Sequence, residues 1–184
     1  MTANPVDVIG YWRHAGPAKW FRKDHRFDEA LRLRFEPVHF RAARGEYDGW
    51  MGSADGCLAL LLLLDQFPRN LWRRSPHAFA TDAMARRVAR HMVLSDFDQE
   101  IEPQLRPFCY LPFEHSEDLA DQELAVRLCE ALRDATGDEE TLKFAVLHRE
   151  IIVRFRRFPH RNAMMGRETT PEEQVFLDEG GFAG

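Results

Sequence analysis

Two segments of this chain carry residue types that both end helices and grip anions. Asp65-Gln66-Phe67-Pro68-Arg69-Asn70 and Arg157-Phe158-Pro159-His160-Arg161-Asn162 each follow a strongly apolar run. Each sets Arg-Asn after Phe-Pro, with one residue inserted in the second. Proline lacks the amide donor that a continuing helix needs and restricts the residue before it, so Phe-Pro predicts a helix end. Arginine and asparagine just beyond it can bond the orphaned carbonyls and favour the helix's negative pole. The same side chains can clamp an anion, because a guanidinium meets a carboxylate or phosphate through two parallel hydrogen bonds. The expected ligand-binding set is Asp65, Gln66, Arg69, Asn70, Arg157, Arg161 and Asn162, converging on one cleft. Paired helix caps are the competing reading. Asp65 closes the apolar run Cys57–Leu64, and a carboxylate buried there requires a partner, for which an arginine of a Phe-Pro segment is expected.

A third segment, Tyr110-Leu111-Pro112-Phe113-Glu114-His115-Ser116-Glu117-Asp118, offers acid–base chemistry. His115, His160 and Glu117 are the candidate catalytic residues, since histidine moves protons near neutral pH and a carboxylate orients it. Neighbouring residues on a helix point about 100° apart, so His115-Ser116-Glu117 cannot close into a triad, and the partner of His115 comes from elsewhere. Ser116 is expected to cap the next helix, with Glu117 and Asp118 in its first turn. His148 shares a stripe with Phe144, Ile151 and Phe155 and reads as a core histidine. No metal site is expected. H-E-x-x-H is missing, and so is the paired Glu-x-x-His pattern a dinuclear helical site would take from two helices. Glycines never follow a strand in a phosphate-binding loop, so no nucleotide cofactor is expected.

The elements that position these residues read as helices. Asn4-Pro5 caps and opens one that runs to about Trp12, and Gly16-Pro17 breaks it. A second starts near Asp24 with Phe27, Leu31 and Phe35 on one face, and Pro37 is expected to interrupt it. Ser53 caps a helix apolar all round, expected as the central one and ended by Pro68. Ser75-Pro76 opens another, carrying Phe79, Met84, Val88 and Met92. Prolines 103, 107 and 112 predict short helices or irregular chain. Helices over about 116–134 and 138–158 follow, separated by Gly137. Thr170-Pro171-Glu172-Glu173 is a capping box whose helix ends at Gly180-Gly181. The pattern predicts an all-α fold of stacked helical hairpins, seven to eight helices in a single domain over 1–184.

Bulk properties narrow the class further. The 184 residues include 45% apolar and 30% charged residues, a globular balance. A net charge of −5 argues against a nucleic-acid partner for the whole chain, although Arg154, Arg156, Arg157 and Arg161 with Phe155 and Phe158 form a local basic, aromatic cluster. Only Lys19, Lys23 and Lys143 among the 25 basic residues are lysine. No apolar run is long enough for a membrane span and no signal peptide is visible. Three widely spaced cysteines fit no disulfide framework, so a cytoplasmic location is expected. The oligomeric state stays open.

The motifs Leu64–Asn70, Tyr110–Phe113 with His115-Ser116-Glu117, Arg154-Phe155, Arg157–Asn162 and Gly166-Arg167 to Glu173 together resemble the bacterial domain of unknown function 924 family. Trp20-Phe21 and Phe27-Asp28 also match, while Thr169 stands where a serine is expected, which keeps the hydroxyl. The resemblance runs from about Val8 to Phe182. It implies an all-helical fold similar to tetratricopeptide-repeat proteins, and it implies no activity. Three functional readings remain from the residues. The first is a helical-hairpin binding domain for an anionic ligand or peptide. The second is a small-molecule enzyme of hydrolase or acid/base type using His115 or His160 with Arg69 and Arg161. In the third, the motifs are a structural hydrogen-bond network only.

Overall fold

The computed structural model describes residues 3–182, so the first two and last two positions of the expected 1–184 domain lie outside the described residues. Every regular element among them is helical. The α-helices are α1 Pro5–Ala15, α2 Pro17–Trp20, α3 His25–Ala43, α4 Ala54–Leu61, α5 Phe67–Leu71, α6 Asp82–Leu94, α7 Pro107–Glu114, α8 Leu119–Thr136, α9 Glu139–Phe155 and α10 Pro171–Asp178. Two compact units divide the chain: Met1–Arg73 with His77–Pro112, and Arg74–Pro76 with Phe113–Gly184. No helix among the described residues is long and apolar enough to cross a membrane.

In the first unit the caps behave as their residue types dictate. Asn4 Oδ1 accepts from the Asp7 amide at 2.9 Å, Asp24 from the Phe27 amide at 3.2 Å, and Ser53 Oγ from the Gly56 amide at 3.2 Å. The run Cys57–Leu64 is buried on every side, and α4 packs against α1 and α6. Trp12, buried in α1, has Phe67 and Phe108 at ring distances of 5.5 and 5.6 Å.

Two prolines act differently from their sequence reading. Pro37 does not interrupt α3, which passes through it to Ala43. Pro37 and the exposed Leu33 one turn earlier lie on the solvent side, where a carbonyl that loses its helical donor is open to water and not buried. Pro68 does not stop the central helix either. Residues Leu62–Gln66 form a π-helical turn joining α4 to α5 in one rod from Ala54 to Leu71. The Phe67 amide reaches back five residues to the Leu62 carbonyl, and Pro68 has no amide to give to either of the next two carbonyls, those of Leu63 and Leu64. His39 Nδ1 takes the first at 2.7 Å and Thr81 Oγ1 the second at 2.5 Å. The carbonyls orphaned by Pro68 are thus capped by α3 and by the residue before α6. Of the Arg-Asn pair that follows, Arg69 reaches the Asp65 carbonyl of this rod at 2.8 Å and the Ala78 carbonyl beyond it at 3.4 Å.

In the second unit α8 and α9 form a hairpin turned by Gly137 in the left-handed region, φ 81°. Ile151, Ile152 and Phe158 form a buried cluster that Leu147, Phe155, Phe176 and Phe182 pack against. Asp118, not Ser116, is the N-cap of α8, accepting from the Ala120 amide at 2.8 Å. Ser116 Oγ instead donates to Asp121 at 2.8 Å. Arg156, φ 62°, ends α9 three residues before Pro159, so here the helix stops ahead of Phe-Pro. The predicted capping box is present in full: the Glu173 amide donates to Thr170 Oγ1, and Glu173 accepts from the Thr170 amide.

Candidate functional site

Asp65, Gln66, Arg69 and Asn70 belong to the first unit, and their polar groups are bonded to the chain itself. The π-helical turn and α5 present Arg69 to two carboxylates: Asp65 Oδ1 at 3.2 Å, and Asp82 through both Nη atoms at 2.9 and 3.1 Å. Burial works against the Arg69 charge, but Asp65 and Asp82 outweigh it and raise the guanidinium's pKa. The expected arginine partner of Asp65 is therefore Arg69, one turn away. Gln66 Nε2 donates to Asp65 Oδ2 at 2.6 Å. Asn70 Nδ2 donates to Asp28 at 2.8 Å, and Arg73 shares that carboxylate at 2.7 Å.

The second unit holds His115, Glu117, Arg157, His160, Arg161 and Asn162. Glu117 receives Arg167 through both Nη atoms, at 2.6 and 3.0 Å, and the Phe158 amide at 2.8 Å. Burial opposes its charge, but those donors hold its carboxyl below the usual range. Arg161 lies over the Phe158 ring at 4.4 Å and donates to the His115 carbonyl at 3.0 Å. Arg157 grips both oxygens of Glu173 at 2.6 and 2.8 Å, and Asn162 adds a bond at 3.2 Å. Hydrogen bonds from Arg157 in particular pull the Glu173 carboxyl down to about 2.

Among these residues lies a pair that sequence reasoning passed over. Glu114, at 1% exposure, accepts from His148 Nδ1 at 3.1 Å, and the Cys129 thiol points to its other oxygen at 3.7 Å. Burial, reinforced by the charge of Glu114, raises the pKa of that thiol and keeps it protonated. Gln122 holds the turn after Glu114 in place: its amide donates to the Glu114 and Ser116 carbonyls, both at 2.6 Å. His148 is itself buried, and its Nε2 has no hydrogen-bond partner among the described residues. The rings around it are His115 at 6.4 Å, Phe158 at 5.6 Å and Phe182 at 4.7 Å, and Phe182 also meets His160 at 5.3 Å. The signal that could have found the pair is a glutamate ending a helix of otherwise apolar residues, facing a histidine on an apolar stripe. Each needs a buried polar partner. No group of three or more metal-ligating side chains occurs among the described residues.

Helices throughout, with polar motifs folded into buried networks, define an all-α protein. The family model described as bacterial protein of unknown function DUF924 matches residues 8–181, and the chain belongs to that family. It is also similar to a solved structure, a protein of unknown function from Agrobacterium tumefaciens. The two share 48% identity over 96% of this chain and 97% of that one, with a TM-score of 0.91. No curated protein matches it.

Proposed function

We propose that the second unit houses a small-molecule site of the acid–base type, with His148 as the base and Glu114 as the carboxylate that orients it. The observation that carries this reading is a buried imidazole held at Nδ1 by a buried carboxylate while Nε2, equally buried, has no hydrogen-bond partner among the described residues. A carboxylate acceptor obliges Nδ1 to carry the proton, so Nε2 of the neutral ring presents a lone pair. Leaving such an atom unpaired costs about 1–3 kcal/mol, and a bound molecule that gives it a proton recovers that cost. Of the two histidines named from the sequence, His115 has its ring 6.4 Å from that of His148, and His160 meets Phe182, which packs on His148. Cys129 is not the nucleophile here, because its thiol stays protonated, and Ser116 is tied to Asp121. The chemistry is proton abstraction, from the ligand or from a water that attacks it. Phe182 packs against both His148 and His160, so a ligand reaching Nε2 displaces that ring.

The purely structural reading of the motifs is favoured by a separate observation: Arg69, Arg157 and Arg167 each already hold a carboxylate of the chain. The same observation weakens the anion-clamp reading at those residues. Histidine-selective nitrogen NMR of the whole protein, titrated with a panel of small polar fragments, separates the readings. Fragments that shift His148 Nε2, bind more tightly to Phe182→Ala and fail to bind His148→Phe support the site. A panel that leaves His148 unmoved in both the parent and Phe182→Ala overturns it and leaves the structural network.

A further inference from the structure

In the first unit a surface groove of about 270 Å³ opens between α1 and α3, lined by Val6, Asp7, Gly10, Tyr11 and His14 of the first helix and Arg34 of the second. That volume is at the small end for ligand sites and suits one small molecule. Val6 is exposed, and the Tyr11 ring is fixed as a wall by Phe27 and Phe35, at ring distances of 6.0 and 5.2 Å. Gly10 keeps the middle of the α1 side bare. It sits inside a helix, where glycine is disfavoured relative to alanine, yet a Cβ there would meet nothing within 4 Å. Packing therefore does not require the glycine, and its effect is to leave the groove open.

Two opposite charges share this groove without pairing. The Asp7 carboxylate is held through Oδ2 by Asn4 Nδ2 at 2.8 Å, which leaves Oδ1. The Arg34 guanidinium lies over the Tyr11 and Phe35 rings at 5.2 and 5.3 Å and pairs with no carboxylate among the described residues. Ring contacts engage the face of a guanidinium and leave its N–H edge for an anion.

We propose that the groove binds a free apolar α-amino acid, with its carboxylate on Arg34, its ammonium on Asp7 and its side chain across Gly10 against Val6 and Tyr11. A zwitterion satisfies both charges at once, whereas Asp7 repels a simple anion and Arg34 a simple cation.

A nuclear magnetic resonance titration of the whole protein with L-leucine tests this, read at the Gly10 amide and the Tyr11 ring. Isocaproate, which lacks the ammonium, and isoamylamine, which lacks the carboxylate, serve as controls. The expected result is saturable leucine binding, about tenfold or more tighter than that of either control and weakened about tenfold or more in Asp7→Asn and in Arg34→Gln. Gly10→Leu fills the groove from a position with room for a side chain, so it should abolish binding while its Tm stays at or above that of the parent. If Gly10→Leu does not fold, Arg34→Gln decides, since the Arg34 side chain is exposed. The proposal is overturned if leucine moves neither resonance up to its solubility limit, if either control binds as tightly, or if folded Gly10→Leu or Arg34→Gln binds leucine like the parent.

Discussion

Glu114 Oε2 lies 3.1 Å from His148 Nδ1, with both side chains buried and 34 positions apart in the chain. A carboxylate can only accept in that contact, so neutral His148 is expected as the Nδ1–H tautomer, the less common form in solution. Long-range proton–nitrogen correlation spectra should show a protonated Nδ1 and a bare Nε2. A bare Nδ1 would break the assignment. Glu114→Ala should destabilise the protein by about 1–3 kcal/mol in urea unfolding, because it leaves the His148 Nδ1 donor unsatisfied.

Thr81 and Pro68 are coupled through the Leu64 carbonyl. Thr81→Val removes the hydroxyl that serves that carbonyl and should cost about 1–3 kcal/mol. Pro68→Ala restores an amide within reach of the same oxygen. In a double-mutant cycle followed by chemical denaturation, Thr81→Val should therefore cost less in the Pro68→Ala background than alone. Strict additivity would count against the proline as the origin of the orphaned carbonyl.

Arg69 is the shared cation of Asp65 and Asp82. Arg69→Met keeps the bulk and removes the charge, leaving two carboxylates facing each other where water is scarce. The expected loss is about 3–5 kcal/mol. A loss of less than one kcal/mol by urea titration would show that the pair contributes little to stability.

Two groups set separate windows in the pH profile of stability. Burial lowers the pKa of His39, so the unfolded chain binds the proton more readily. This contribution is intact above the ordinary histidine value of 6.5 and declines as the pH falls below it. Glu173 is lowered from 4.5 to about 2, so its contribution is present above 4.5 and is lost as the pH drops from there toward 2. Thermal melts between pH 7 and pH 3 should show both declines. In Glu173→Gln the acidic one should flatten while the one below 6.5 remains.

Arg156 ends α9 in the left-handed region, where a side chain costs about 1–2 kcal/mol and glycine costs nothing. Its side chain is exposed, so Arg156→Gly should stabilise by roughly 0.5–1 kcal/mol, a rise in Tm of a few degrees by calorimetry. An unchanged or lower Tm would mean that the arginine does something else there.

The N-caps Asn4, Ser53 and Thr170, the helix start near Asp24, the buried leucine helix and the turn at Gly137 were all legible, because each depends on residues within a turn or two of one another. The motifs were legible as motifs, and the family follows from them. Less was legible of what their side chains touch. Asp65-Gln66-Phe67-Pro68-Arg69-Asn70 and Arg157–Asn162 look alike in sequence. The structure makes the first a π-turn inside a continuing helix and the second a break after Arg156.

The chain by itself determined that it is helical, where most helices begin, and which residues form the polar motifs, since propensity, capping and hydrophobic periodicity act over a few positions. Only the tertiary structure decided that Pro68 is bridged, with His39 and Thr81 supplying the donors it lacks. It also decided that Glu117 belongs to Arg167 and that Glu114 belongs to His148. Those partners are 34 to 50 positions apart. A buried charge takes whichever donor packing brings to it, and that choice is made by the helices around it rather than by its neighbours in the chain.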